Sequence, residues 1–158
     1  MKTGKYFTKG SVVKDLESTE KYCAIRELLS RAPVSSSLSN LEQIEKAVLE
    51  REKLFTTGLG RGVAIAHGKT AGMGKLLMLL GISRTGIDFQ SLDGKPVHFI
   101  FLIANSPDQT DEYIRALSTL ARVLRSEEFC SRLLQAADPD CMEEIIIHEL
   151  DSVQHFCN

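Results

Sequence analysis

The run Val97-His98-Phe99-Ile100-Phe101-Leu102-Ile103-Ala104 is apolar at all but one position. It is rich in Phe, Ile and Val, which fit a pleated, buried surface better than a helix. The run therefore reads as a central strand. Two shorter apolar runs precede it. Val63-Ala64-Ile65 reads as a short buried strand leading directly into His67, and Leu76 to Ile82 is another apolar segment. Gly72, Gly74, Gly81, Gly86 and Gly94 punctuate the turns around them.

On either side of these runs the periodicity becomes helical. Ile25, Leu28, Leu29 and Ala32 recur at i, i+3, i+4 and i+7, which predicts a helix from about Thr19 to Arg31 that Pro33 stops. Ser35-Ser36-Ser37 reads as a short loop. Ser39 and Glu42 have the spacing of a capping box and predict a second helix with the stripe Leu41, Ile44, Val48. The next position on that stripe is Arg51, a charged end to an apolar face. After the central runs, Leu117, Leu120, Ala121 and Leu124 form one stripe, and Cys130, Leu133, Leu134 and Ala137 another. Asp138-Pro139 then predicts a cap and the opening of a last helix carrying Ile146, Leu150 and Val153. Helices before, strands in the middle and helices after predict a sheet covered by helices. The pattern alone leaves strand order open.

Several classes are disfavoured. The length of 158 residues suits one domain, and 43% apolar with 25% charged residues suits a soluble globular chain. The net charge of −2, with no basic stretch interleaved with aromatics, argues against nucleic acid as a partner. No apolar run approaches the roughly 18 residues of a spanning helix. Met1 to Gly10 is polar, unlike the apolar segment of a signal peptide, so membrane insertion is not expected and the expected location is the cytoplasm. Cys23, Cys130, Cys141 and Cys157 are scattered without a CxxC, which predicts ordinary buried or half-buried thiols.

His67 is the leading candidate for chemistry. It follows a strand and precedes Gly68, and strand ends in α/β folds face the crevices where ligands bind. An imidazole is nucleophilic near neutral pH, and one ring nitrogen can attack phosphorus while a hydrogen bond holds the other. The plainer reading is a histidine satisfied by backbone at a strand end. Arg51 is the natural second member, because a guanidinium fork matches phosphoryl oxygens; the plainer reading is a surface ion pair with Glu50 or Glu52. Thr57 to Gly62 carries a glycine at every second position from Gly58, which would let backbone approach a phosphoryl oxygen. It lacks the Gly-Lys-Ser/Thr of a Walker A loop and serves equally as a connection. His98, within the apolar strand, reads as structural. Glu144, His148, Asp151 and His155 fall at i, i+4, i+7 and i+11 of the last helix, a spacing that suits a metal site or a solvated face. No Ser-His-Asp arrangement or catalytic cysteine is legible.

The stretch from Arg51-Glu52 through Thr56-Thr57-Gly58 and Gly60 to Ala64-Ile65-Ala66-His67-Gly68 resembles the signature of the fructose/mannitol-type IIA domains of the bacterial phosphotransferase system, the nitrogen-regulatory subgroup included. That signature runs Arg-Glu, a short spacer, Ser-Thr-Gly, a second glycine, then Ala-Ile-Pro-His-Gly. Gly86-Ile87-Asp88-Phe89 through Val97 to Leu102 resembles the family's following hairpin and strand, and Asp111 to Leu117 its next segment. The resemblance covers nearly the whole chain, residues 1–158 as one IIA domain. It implies a mixed β-sheet with helices on both sides. It also implies that His67 takes a phosphoryl group from the phosphohistidine of the small carrier HPr or a related carrier. Arg51 corresponds to the family's arginine, with Thr57, Gly58 and Tyr113 at the rim. Transporting members pass the group to a IIB component and thence to a sugar; nitrogen-type members act by phosphorylation-dependent binding of a regulatory target. No metal or organic cofactor is implied.

Two positions depart from the pattern. Ala66 replaces the proline before the active histidine. Tyr113 stands where many members carry a second histidine, and a tyrosine hydroxyl cannot become a cation near neutral pH. The nucleophile and the arginine are kept while the groups around them change, which lends weight to a regulatory role beside the transporting one.

Overall fold

The computed structural model describes residues 6–154. Five strands form one mixed sheet: β1 (Val12–Val13), β2 (Gly58–Gly60), β3 (Val63–Lys69), β4 (Leu77–Ile87) and β5 (Val97–Asn105), in the order β1-β4-β5-β3-β2. The segment read as a central strand is β5, antiparallel to β4 and parallel to β3. Helices α1 (Lys21–Arg31) and α2 (Leu41–Leu54) cover one face, and α3 (Thr110–Val123), α4 (Glu127–Gln135) and α5 (Pro139–Gln154) the other. The side-chain alternation of β5 explains the two layers. Phe99, Phe101 and Ile103 enter the core beneath α3 and α5, while Ile100, Leu102 and Ala104 enter the core beneath α1 and α2. Among the described residues no helix is long and apolar enough to cross a membrane.

Most element boundaries match the sequence pattern, and the exceptions have local causes. The N-cap of α2 is Asn40 rather than Ser39, with no side-chain cap; the Asn40 amide instead donates to Met73 Sδ at 3.3 Å. Asp138 does cap α5, accepting from the Cys141 N–H at 2.8 Å. Gly81 sits inside β4 rather than in a turn, because a Cβ there would come within 2.7 Å of Leu16 Cδ1. Helix α3 buries Ala116, Thr119, Leu120 and Val123, leaving Leu117 and Leu124 half-buried. On α4 the buried residues are Phe129 and Leu133, and Leu134 and Ala137 face solvent. Cys23 is exposed rather than buried, Cys130 and Cys141 are half-buried, and Cys157 lies outside the described residues.

One packing contact sets up everything at the site. The residues of β3 that face α2 are Ala64, Ala66 and Gly68, all small. They let α2 descend onto the strand, so that a Cβ on Gly68 would stand 2.7 Å from Val48 N and 2.9 Å from the Ala47 carbonyl carbon. Ile44 and Val48 are fully buried in this contact, each contributing about 1.5–3 kcal/mol. The alanine found at position 66 belongs to this row of small residues.

Candidate functional site

Among the described residues β2 pairs only with Val63 and Ala64, so beyond Ile65 the outer edge of β3 has no strand partner there. His67 stands on this open edge, half-buried, on the face toward α3. The last turn of α2 lies on the other side of the same edge. Between them opens a cleft of about 620 Å³ lined by Ala47, Glu50, Arg51, Leu54, His67, Gly68 and Lys69. Arg51 reaches it as one turn of helix separates it from the Val48–Gly68 contact. His67 and Arg51, sixteen positions apart in sequence, thus face one cavity.

The imidazole is held at one nitrogen. Its Nδ1 lies 3.3 Å from the Ile65 carbonyl, to which an Nδ1–H donates. That tautomer leaves Nε2 with its lone pair. From the α3 side the Tyr113 ring packs against the imidazole, centroids 5.6 Å apart and tilted by 39°. Burial pushes the His67 pKa below its ordinary value, and the Arg51 and Lys69 charges push the same way; the Ile65 hydrogen bond and the Glu52 charge oppose them without winning. The lowered pKa favours the neutral ring near pH 7. Burial raises the Tyr113 pKa, so its hydroxyl stays protonated throughout the physiological range.

An expected result follows for the titration. The His67 ring signals in an NMR pH series move with a midpoint below about 6.5, the ordinary histidine value. Arg51→Ala raises that midpoint, because it removes a cation that disfavours the imidazolium. The unfolded chain binds this proton more readily than the folded one, so the contribution of His67 to stability falls as pH drops from about 6.5 toward the depressed value. A midpoint at or above 6.5 would contradict this reading of the ring's surroundings.

Arg51 makes no ion pair with Glu50 or Glu52 among the described residues. Its Nη1 donates to the Phe55 carbonyl at 2.8 Å, closing the C-terminus of α2. Glu52 points the opposite way and is buried, with Lys21 Nζ at 3.2 Å from its Oε1. Thr57 and Gly58 support the rim from beneath rather than line the cleft. The Thr57 hydroxyl donates inward to Glu52 Oε2 at 2.5 Å, and a Cβ on Gly58 would fall 2.3 Å from Ser91 Oγ. His98 is structural in its contacts, with Nδ1 2.8 Å from the Ser83 carbonyl across the β4–β5 hairpin. On the last helix Glu144 and His148 are exposed, and His155 lies outside the described residues. Among the described residues no group of three or more His, Cys, Asp or Glu is placed to hold a metal.

The sequence reading names Glu52 only beside Arg51 and passes over Lys21, although a signal for their buried pairing is present. Ile44, Val48 and Glu52 fall at i, i+4 and i+8 on α2, and Lys21, Ile25 and Leu28 at i, i+4 and i+7 on α1. An acid on one buried stripe and a base on the other must find partners. Five of the exposed large apolar side chains also went unremarked: Leu54, Phe55, Leu59, Leu92 and Ile114. Leu54 is 81% exposed on the cleft wall, Phe55 follows it, Leu59 is on β2, and Ile114 adjoins Tyr113. Leu92 is bound to this edge through its N–H to the Gly58 carbonyl at 3.4 Å.

The chain is 35% identical over 146 residues to the fructose-specific EIIABC component of Bacillus subtilis (strain 168), covering 92% of this chain and 23% of that protein, so it spans about a quarter of that relative's length. Its structure matches the nitrogen regulatory protein IIA-Ntr from Neisseria meningitidis with a TM-score of 0.80 at 30% identity, over 93% of this chain and 97% of that one. It also matches the fold of the mannitol enzyme IIA solved in complex with phosphorylated enzyme IIB from Escherichia coli, at a TM-score of 0.72 and 21% identity, over 89% of this chain and 96% of that one. The family model described as phosphoenolpyruvate-dependent sugar phosphotransferase system, EIIA 2, matches residues 5–149, and the chain therefore belongs to that family of phosphotransfer components.

Proposed function

We propose that this protein is a phosphocarrier that accepts a phosphoryl group on His67 from phospho-HPr or a related carrier and passes it to a IIB component for sugar uptake. The observation that carries the reading is the pairing, at one open cleft, of an imidazole tied through Nδ1 with the guanidinium of Arg51. The Nε2 lone pair attacks the phosphorus of the donor phosphoimidazole, the N–P bond to the donor breaks, and the donor ring keeps the electron pair. Arg51 can turn its remaining N–H groups to the phosphoryl oxygens while Nη1 holds Phe55, offsetting charge in the transition state. In the second step the nucleophile of the IIB acceptor attacks the same phosphorus, the Nε2–P bond breaks, and the His67 ring keeps the electron pair. The solved assembly of a similarly folded IIA with phosphorylated IIB supports that partner.

The exposed apolar side chains support docking at this edge. Leu54 lines the cleft, Phe55 follows it and Ile114 follows Tyr113, and all three are exposed, as are Leu59 on β2 and Leu92 beside it. Exposed apolar side chains beside a reactive group are the usual mark of a protein-binding surface. A donor and an acceptor that meet the same imidazole in turn would use the same surface.

A second reading is favoured by Tyr113. With a neutral phenol rather than a second imidazole against His67, this neighbour of the ring offers the phosphoryl group no positive charge. A nitrogen-type regulatory protein that holds the group and signals by phosphorylation-dependent partner binding fits this arrangement, as does the similarity to IIA-Ntr. Labelling separates the readings. With radiolabelled phosphoenolpyruvate, enzyme I and HPr, the protein is expected to take acid-labile label, and addition of a fructose- or mannitol-type IIB is expected to remove it. Label that is taken up but never passed to any IIB would move the regulatory reading ahead. A folded protein that takes no label from either HPr or a nitrogen-type carrier would reject both.

A further inference from the structure

Beneath the cleft lies a buried ion pair that the phosphoryl chemistry does not itself require. Glu52 and Lys21 are only 1% and 6% exposed. Charges withdrawn from water persist only when paired and fully hydrogen-bonded, and an apolar pair of the same volume is often at least as stable. The hydrogen bonds of Glu52 show what the charge does here. Oε1 accepts from Lys21 Nζ at 3.2 Å and from the Thr57 N–H at 3.2 Å, and Oε2 accepts from the Thr57 hydroxyl at 2.5 Å. Lys21 is steadied in turn by Gln90 Oε1 at 3.1 Å. Gln90 adopts a left-handed backbone, φ 53°, that a non-glycine residue takes only when its surroundings hold it.

The bonds continue from Thr57 to the reactive ring. The Thr57 carbonyl accepts from the Ile65 N–H at 3.1 Å, and the Ile65 carbonyl is the group that holds His67 Nδ1. On the other side Arg51 is the chain neighbour of Glu52 and grips Phe55, while Thr56 donates its hydroxyl to the Phe89 carbonyl. Residues 55, 56 and 57 are thus each tied down by a different partner. From this continuous path we propose that Glu52, braced by Lys21, is a positioning residue of the phosphoryl site: through Thr57 and Ile65 it fixes His67, and through its own helical turn it fixes Arg51. The inference rests on the reading of His67 as phosphoryl acceptor. Glu52 touches neither the ring nor the phosphoryl group.

The test uses the full chain, phospho-HPr as donor and rapid quench to follow acid-labile phosphate, with Glu52→Gln, Thr57→Val and Thr57→Ser. Glu52→Gln keeps the shape and removes the charge. Thr57→Val keeps the ion pair and removes only the hydroxyl bond, so it carries the test if Glu52→Gln does not fold. Misplacement of reacting groups by a fraction of an ångström to about 1 Å costs on the order of ten- to a hundredfold in rate. Glu52→Gln and Thr57→Val are expected to lower the limiting transfer rate by that factor, with the half-saturating phospho-HPr concentration unchanged within about twofold, since the exposed apolar side chains are intact. Thr57→Ser is expected to stay near wild type. The His67 Nδ1–H NMR signal should broaden or shift in the first two variants and not in the third. Folded Thr57→Val with wild-type limiting rate, or with only its half-saturation changed, would overturn the proposal. If wild type itself takes no phosphoryl group, the acceptor reading fails separately, and an unaltered Nδ1–H signal in folded Thr57→Val would overturn the positioning role on its own.

Discussion

His67→Ala is expected to abolish acid-labile labelling of this protein altogether, while His98→Ala labels at the wild-type level. The two histidines lie on neighbouring parallel strands, so the contrast tests place rather than residue type. His67 opens onto the Arg51 cleft with Nδ1 tied to a backbone carbonyl, leaving Nε2 for attack. His98 is bonded through Nδ1 to Ser83 across the hairpin and lies against Gly86, where a Cβ would meet its ring at 3.2 Å. Loss of the nucleophile leaves no other group at the cleft able to form a phosphoimidazole, so the expected effect is complete rather than partial. His98→Ala instead loses a structural hydrogen bond and packing, at about 1–3 kcal/mol of stability. Denaturant titration of both variants beside the labelling keeps the two effects apart. Label surviving His67→Ala would remove the basis of the proposed function.

Gly68→Val is expected to be the most damaging substitution that touches no reactive group. The added Cβ would stand 2.7 Å from Val48 N and 2.9 Å from the Ala47 carbonyl carbon, both backbone atoms of a helix that cannot give way one atom at a time. Either α2 lifts from β3 or the strand bends. Overpacking of this kind costs about 1–3 kcal/mol and more where backbone is the obstacle. For a chain of this length each kcal/mol lowers Tm by roughly 2–4 °C. A loss of about 3 kcal/mol therefore appears as a fall of about 6–12 °C in a thermal melt. Gly74→Ala is the control: no atom lies within 4 Å of its would-be Cβ, and its Tm should stay within about 2 °C of wild type. Lifting α2 also carries Arg51 away from His67, so what remains folded of Gly68→Val should accept phosphoryl groups slowly. A wild-type Tm for Gly68→Val would show that α2 and β3 are not in the contact described.

The fold was legible where one residue type repeats at a regular spacing. The apolar run of β5, the stripe Ile44–Val48 and the Asp138-Pro139 cap each state a local preference that the tertiary structure keeps. Phase errors arose on α3 and α4, where several apolar residues stand close together and more than one stripe can be drawn. Only the sheet decides that Phe129 rather than Leu134 is covered. Gly81 misled for a related reason: a glycine in sequence marks a turn or a close approach, and here the approach is by Leu16. The pairing of His67 and Arg51 at one cleft was legible through the family's motif and from the charged end of the α2 stripe. The inward turn of Thr57 was not. It depends on Lys21, which meets Glu52 only when α1 packs against α2, and on Gln90 from the segment after β4, which accepts from Lys21 in turn. The small residues of β3 were legible as letters but not as a cause, since their effect is the depth at which α2 lies.

The measurement closest to the central claim is ³¹P and ¹⁵N NMR of the wild-type protein after phosphorylation by phosphoenolpyruvate, enzyme I and HPr, with the ring nitrogens of His67 assigned. The expected result is one phosphoimidazole whose phosphorus couples to Nε2 of His67, with Nδ1 still protonated and bonded to Ile65. A phosphoryl group on His98, on Nδ1 of His67 or on no histidine of the folded protein would contradict it.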